Sequence, residues 1–362
     1  MALWHTIATR IVLGVGCVVC SSTQLLTYSV TAARPHNVAA SRPRDMAPDQ
    51  RVFTRVTRTP VADTTVRTVR LHATPTWTGV ASRRAGFVSA HRPLLDHVAV
   101  MSQTVAFARG ACVTYYPLRG DRRHTVFIDA GHGGPDPGAV GTTRAGKAVV
   151  EKDLALATTR ALLPVLRNDG YPVVMARTGD TGVVRLSPSD LSNGVLTLAG
   201  KHRDRVARLV CANAAGADVL VALHFNAFAD PRAGGAETLY DTARPFRADN
   251  QRLADLVHAG IITSLRAAGW TVPNRGVIDD AAGGTPAATA QAAAYGHLLE
   301  LGPAAPGWNP QPSAMPGVFC EPLFVTNPLE AEIAASTAGQ EAIARGMAHA
   351  IDAFFAVAPG AS

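Results

Sequence analysis

From residue 125 to residue 356 the chain alternates short β-branched apolar runs with longer amphipathic segments, and this alternation limits the fold more than any other feature. Strands are expected over 125–129, 172–177, 218–225, 236–241 and 318–321. Helices are expected over 151–167, 202–215, 248–268 and 329–356. Such a pattern favours an α/β fold, a twisted, mainly parallel sheet with helices on both faces. Pro164, late in the first helix, is expected to kink or shorten it, because it removes a backbone donor and crowds the preceding turn.

The strand ends carry the chemistry. Val126-Phe127-Ile128-Asp129-Ala130 runs directly into Gly131-His132-Gly133-Gly134, an imidazole bracketed by glycines that allow a sharp turn and close approach of another molecule. Val219 to Leu223 likewise ends in His224, and Glu151 opens the first helix. In open α/β sheets ligands gather outside the carboxyl ends of strands. Two histidines and a carboxylate are a common ligand set for hydrolytic zinc, the fourth position being left to water. Val318-Phe319-Cys320 ends in Glu321, placed to take a proton from such a water.

Taken singly, these residues have plainer readings. His224 alone reads as a satisfied buried histidine, and Glu151 as a first-turn acid favoured by the helix dipole. Asp136 reads as the organiser of its turn, and His202, His258 and His297 as ordinary helix or surface residues. Glu321 is harder to dismiss, because an unpaired buried carboxylate is costly.

The segments together resemble the zinc-dependent N-acetylmuramoyl-L-alanine amidases of the Amidase_3 family. Asp129 to Gly134 matches the family's Asp-x-Gly-His-Gly-Gly loop, and Glu151 to Leu154 its Glu-Lys-x-Leu helix start. Gly170, Val173, Arg177 and Asp180 fit the next block. Ala212-Asn213 and Ala222 to Asn226 fit the two after it, and Pro316 to Asn327 fits the last. The resemblance spans residues 125 to about 355. It implies that His132, Glu151 and His224 bind Zn2+, that Glu321 is the catalytic carboxylate, and that the substrate is peptidoglycan or its muropeptides; Asn226 reads either as a residue that helps hold substrate or as a loop cap, the former being favoured. Leu323 replaces a customary glycine, Ala222 a customary serine, and the proline-rich stretch 303–314 reads as an insertion; none of these removes a ligand.

Glu300, in Leu298-Leu299-Glu300-Leu301-Gly302, competes with Glu321. Only the later segment carries the upstream proline, Phe324 and Asn327, so Glu321 is preferred and Glu300 is expected on the preceding strand. Two rival functions remain: a zinc peptidase cutting the stem peptide, and a non-catalytic wall-binding or regulatory protein on the same scaffold.

The 362 residues carry a net charge of +7, concentrated in an arginine-rich, lysine-free stretch from residue 34 to residue 123. A basic surface attracts polyanions, here anionic wall polymers; no zinc-finger, helix-turn-helix or RNA-binding signature accompanies it, which excludes a nucleic-acid reading. Residues 1–33, with an apolar run and a small-x-small site at Val30-Thr31-Ala32, read as a signal peptide or N-terminal anchor, so an exported protein is expected. Residues 34–122 read as a poorly ordered basic linker and 123–358 as the catalytic domain, a monomer. Residues 279–293 read as a mobile loop or weak helix. Of five cysteines, Cys17 and Cys20 fall in the signal. Cys112, Cys211 and Cys320 leave room for one pair and one free thiol, with the pairing open. Cys320 is expected to face away from Glu321.

Overall fold

The computed structural model describes residues 96–280 and 295–356. In chain order these form β1 (His97–Ala99), β2 (Ala111–Tyr115), β3 (Val126–Ala130), β4 (Val140–Thr142), β5 (Ala148–Val150), α1 (Glu151–Asn168), β6 (Val173–Arg177), β7 (Leu191–Ser192), β8 (Val195–Leu196), α2 (Leu198–Ala214), β9 (Val219–Leu223), β10 (Ala236–Tyr240), α3 (Arg247–Ala267), β11 (Asn274–Asp279), β12 (Gly317–Glu321), α4 (Pro328–Ala335) and α5 (Thr337–Ala356).

Eight strands make one mixed sheet in the order β1-β2-β6-β3-β9-β12-β10-β11. Its centre, β6-β3-β9-β12, is parallel. Every residue of β3, β6 and β9 is buried, as expected of strands covered on both faces. Val126, Ile128, Met175 and Val221 pack on one side against Leu162 of α1, Val257 of α3 and Met347 of α5. On the other, Phe127, Val174, Leu220 and Phe319 meet Ala207 and Leu209 of α2, together with Leu299 and Met315. β10 runs antiparallel to β12, and β11 parallel to β10. The carboxyl ends of β3, β9 and β12 therefore share one end of the sheet with the amino ends of β10 and β11.

The expected strands and helices are present, with local corrections. α1 continues past Pro164 to Asn168. Pro164 is exposed, whereas Leu162 and Leu166 are fully buried on either side. Burying each leucine is worth roughly 1.5–3 kcal/mol, enough to offset the ~3 kcal/mol cost of an interior proline. α2 begins earlier than expected because Thr197 caps it, its Oγ1 accepting from Gly200 N at 3.0 Å. The single helix expected over 329–356 is two helices. Ser336 between them has extended backbone, and its Oγ accepts from Gly339 N at 3.0 Å to start α5.

The linker boundary is corrected as well. Residues 97–115 supply β1 and β2, which extend the sheet beyond β6 in antiparallel pairing. Residues 1–95, where the signal peptide and most of the basic stretch were expected, lie outside the described residues, as do 281–294, which include most of the loop expected over 279–293. Among the described residues no helix is long and apolar enough to cross a membrane.

Cys112 of β2 and Cys211 of α2 form a disulfide across 99 residues of sequence, and Cys320 is the buried free thiol. Cys320 points into the core beneath the sheet, on the face away from Glu321, as strand alternation requires. Cross-linking a loop of this length restricts the unfolded chain by about 4.7 kcal/mol in the chain-entropy description. The double variant Cys112→Ser/Cys211→Ser should lose roughly 2–4 kcal/mol in urea unfolding. An unchanged midpoint would show that the bridge adds nothing to stability.

Candidate metal centre

Three donor atoms meet above the strand ends. His132 Nε2 lies 2.9 Å from Glu151 Oε1, His224 Nδ1 lies 3.0 Å from the same oxygen, and the two histidine nitrogens are 3.1 Å apart. Each donor is fixed by its own element. His132 follows β3 in the left-handed region, φ +58°, where a side chain costs of order 1–3 kcal/mol. Glu151 is the first residue of α1; its Oε2 accepts from Ala139 N at 2.8 Å and its Oε1 from Phe225 N at 3.1 Å. His224 follows β9, its ring stacked on Phe319 with centroids 4.1 Å apart. Gly131 covers the other side of that ring: a Cβ there would stand 2.4–2.6 Å from three ring atoms. Only glycine fits.

This donor set could hold a cation. His132 Nδ1 lies 3.0 Å from Asp136 Oδ2. An ionised carboxylate only accepts, so Nδ1 carries the proton, and in the neutral, metal-binding form of the ring Nε2 presents a lone pair. That lone pair faces a carboxylate oxygen and a second imidazole nitrogen within 3.1 Å. The arrangement is repulsive unless a proton on His132 or a metal ion supplies positive charge among them. Burial alone would push the His132 pKa down, yet the charges of Glu151 and Asp136 outweigh it and lift it to about 9. Burial would likewise raise the Glu151 carboxyl; His132 and then His224 outweigh it and hold it below the usual range. Zinc bonds of 2.0–2.2 Å in a tetrahedron place ligand atoms about 3.3 Å apart, so this set fits such an ion after a shift of a few tenths of an ångström.

Two buried arginines hold the loop. Arg177 Nε donates to Ala130 O at 2.9 Å, and its Nη2 donates to Gly131 O at 2.8 Å and Lys152 O at 2.7 Å. It thereby ties the His132 loop to the start of α1. Arg208 Nη2 donates to His132 O at 2.7 Å and to Asp204 Oδ2 at 2.9 Å, and its Nη1 donates to Ala130 O and to Asp129 Oδ1. Asp204 Oδ1 accepts from Val183 N at 2.5 Å and Val184 N at 3.0 Å. Arg177 entered the sequence pattern without a role. Arg208 and Asp204 had no signal beyond ordinary helix residues.

Glu321 ends β12 beside this cluster. His224 N donates to Cys320 O at 2.9 Å, which sets Glu321 next to His224 on the adjoining strand. Its Oε2 is buried and, among the described residues, has no hydrogen-bond partner. Burial first, then the charges of Glu151 and Glu237, push its carboxyl well above the usual range. A carboxyl raised in this way, beside a donor cluster, is suited to proton transfer. Glu300 Oε2 is likewise buried without a hydrogen-bond partner among the described residues, but its charge environment is the opposite. Glu300 lies in a turn closed by Gly302 N to Leu298 O at 2.8 Å, not on a strand as expected. Its Oε1 is 3.4 Å from Arg205 Nε. Burial opposes ionisation there, but the Arg205 and His224 charges hold the carboxyl low.

Asn226 sits at the same sheet end with both polar atoms engaged: Nδ2 donates to Glu237 Oε1 at 2.6 Å, and Oδ1 accepts from Ala227 N at 2.7 Å. Asp136 organises its turn, as expected, and orients His132 as well. His297 pairs with Asp241 at 2.6 Å near Asp280, at the opposite end of the sheet.

Fold and site define a class: an α/β protein with a three-donor candidate metal centre and an unpaired carboxyl at the ends of its parallel strands. The family model of the N-acetylmuramoyl-L-alanine amidases, Amidase_3, matches residues 126–353, and the chain belongs to that family. It is 26% identical over 289 residues to N-acetylmuramoyl-L-alanine amidase AmiA of Salmonella typhimurium, covering 72% of this chain and 86% of that one. It is 34% identical over 115 residues to a germination-specific N-acetylmuramoyl-L-alanine amidase of Bacillus subtilis, covering 32% of this chain and 44% of that one. The crystal structure of an N-acetylmuramoyl-L-alanine amidase from Clostridium difficile 630 is similar at 25% identity and a TM-score of 0.45, over 64% of this chain and 97% of that one.

Proposed function

We propose that this protein hydrolyses the amide between the lactyl group of N-acetylmuramic acid and L-alanine of the peptidoglycan stem peptide, with zinc held by His132, Glu151 and His224. The observation that carries this reading is the convergence of those three donor atoms within 3.1 Å beside an orphaned Glu321 oxygen. When bound, zinc supplies the Lewis acidity that activates water at neutral pH and polarises the amide carbonyl.

The chain's own groups do the rest. Asp136 fixes the tautomer of His132, and Phe225 N and Ala139 N fix the two oxygens of Glu151. Arg177 and Arg208 hold the loop backbone so that His132 keeps its left-handed conformation. Glu321 takes the proton of the attacking water and delivers it to the departing alanine nitrogen. Its raised pKa suits the second half of that task, and the positive charge of a bound cation suits the first. Asn226 steadies Glu237 next to Glu321. The disulfide fits an oxidising compartment outside the cytoplasm, and the basic stretch before the domain suits anionic wall polymers. We take the working unit to be a monomer.

Digestion of purified sacculi by the zinc-loaded protein tests this. The expected products are stem peptides with a free N-terminal L-alanine, lost after chelation and restored by zinc. Cleavage within or between stem peptides instead would mark a zinc peptidase. Sacculus binding without any product would mark a wall-binding protein.

A further inference from the structure

Arg275 is the second residue of β11, at the sheet end that carries the metal centre. The ladder pairs Ala236 with Asn274 and Glu237 with Gly276, so Arg275 is the extra residue of a β-bulge. Bulges beside active sites re-aim a side chain. Three supports fix this one. Its stem crosses Gly235, where a Cβ would stand 3.0 Å from Arg275 Cγ. Its Nε donates to Glu237 Oε2 at 2.5 Å. Its guanidinium carbon lies 5.0 Å from the Phe324 ring centroid. Glu330 binds two of these supports together, Oε1 accepting from Gly235 N and Oε2 from Phe324 N, both at 2.7 Å. Asn226 Nδ2 holds the free oxygen of Glu237.

The side chain nevertheless remains 44% exposed. Among the described residues its two Nη atoms have no hydrogen-bond partner in the protein. A guanidinium pinned at Nε and over a ring, with both terminal nitrogens presented outward, matches the two oxygens of a carboxylate. Glu321, Glu237 and the bulge lie on three successive strands, so the Arg275 backbone stands about 10 Å from that of the catalytic strand, and its side chain reaches back over part of that distance to Glu237 and Phe324. An extended peptide covers that span in roughly three residues.

We propose that Arg275 is a specificity-determining residue that receives a free carboxylate within about three residues of the scissile amide on the peptide side of the substrate. This deepens the hydrolase reading and rests on it for the identity of the substrate. A charge-assisted pair of this kind discriminates by roughly ten- to a hundredfold.

The test uses two soluble muramoyl peptides that differ only in whether that carboxylate is free or amidated. With full-length zinc-loaded protein, kcat/KM is expected to favour the free acid by at least about tenfold, mainly through KM. In R275A the preference should collapse toward unity with zinc content unchanged, and R275K should restore part of it. An unaltered preference in R275A, or none in the parent protein, overturns the proposal. A second measurement separates it from the hydrolase reading: calorimetric binding of both peptides to zinc-loaded E321Q, with and without R275A. Arg275-dependent preference for the acid peptide without cleavage by the parent protein would sustain the subsite and sink the hydrolase reading. Cleavage with equal binding of both peptides would do the reverse.

Discussion

Replacing Glu321 with glutamine is expected to lower turnover on sacculi by roughly 100- to 10,000-fold while leaving zinc uptake intact. The amide keeps the size of the carboxyl and cannot shuttle a proton. Because Glu321 is outside the three-donor set, metal content by mass spectrometry should match the parent protein. The control is Glu300→Gln. Glu300 is held ionised against Arg205, a state that makes it a poor carrier of protons to a leaving group. Near-normal turnover in E321Q, with loss in E300Q, would transfer the catalytic role to Glu300.

Arg208→Ala should be the most damaging single change to stability outside the hydrophobic core, at roughly 3–5 kcal/mol. The guanidinium is almost wholly buried and bonds two buried carboxylates and two carbonyls of the His132 loop. Removing it strands Asp129 and Asp204 as uncompensated charges, and Asp129 Oδ2 already has no hydrogen-bond partner among the described residues. Arg208→Lys should rescue only part, since one ammonium cannot span the four acceptors. Urea unfolding of metal-free protein measures the loss, and a change below about 1 kcal/mol would show that the loop is held by other groups.

The donors of the metal centre were legible because each sits where an apolar run stops: His132 between glycines, His224 after five buried residues, Glu151 before an amphipathic helix. The arginines that hold them were not. An arginine in a helical pattern reads as a surface residue, and the burial of Arg208 depends on Asp129, 79 positions away. The central strands were readable from their continuous apolar runs. β1 is three exposed residues, and β11 opens with Asn274, Arg275 and Gly276, so neither shows an alternation to read. Pro164 does not shorten α1, because the leucines on both sides of it are buried. The pairing of Asn226 with Glu237 was not legible, because Glu237 lies on a strand whose register no local pattern specifies.

Cys211 stands one helical turn beyond Arg208 on α2, and its sulfur is bound to the strand next to the outermost edge of the sheet. Rims of open sheets are where peeling starts in thermal or mechanical unfolding. Here a tear beginning at β1 must stop at a covalent rivet before it can tug on the turn of helix that grips the histidine loop.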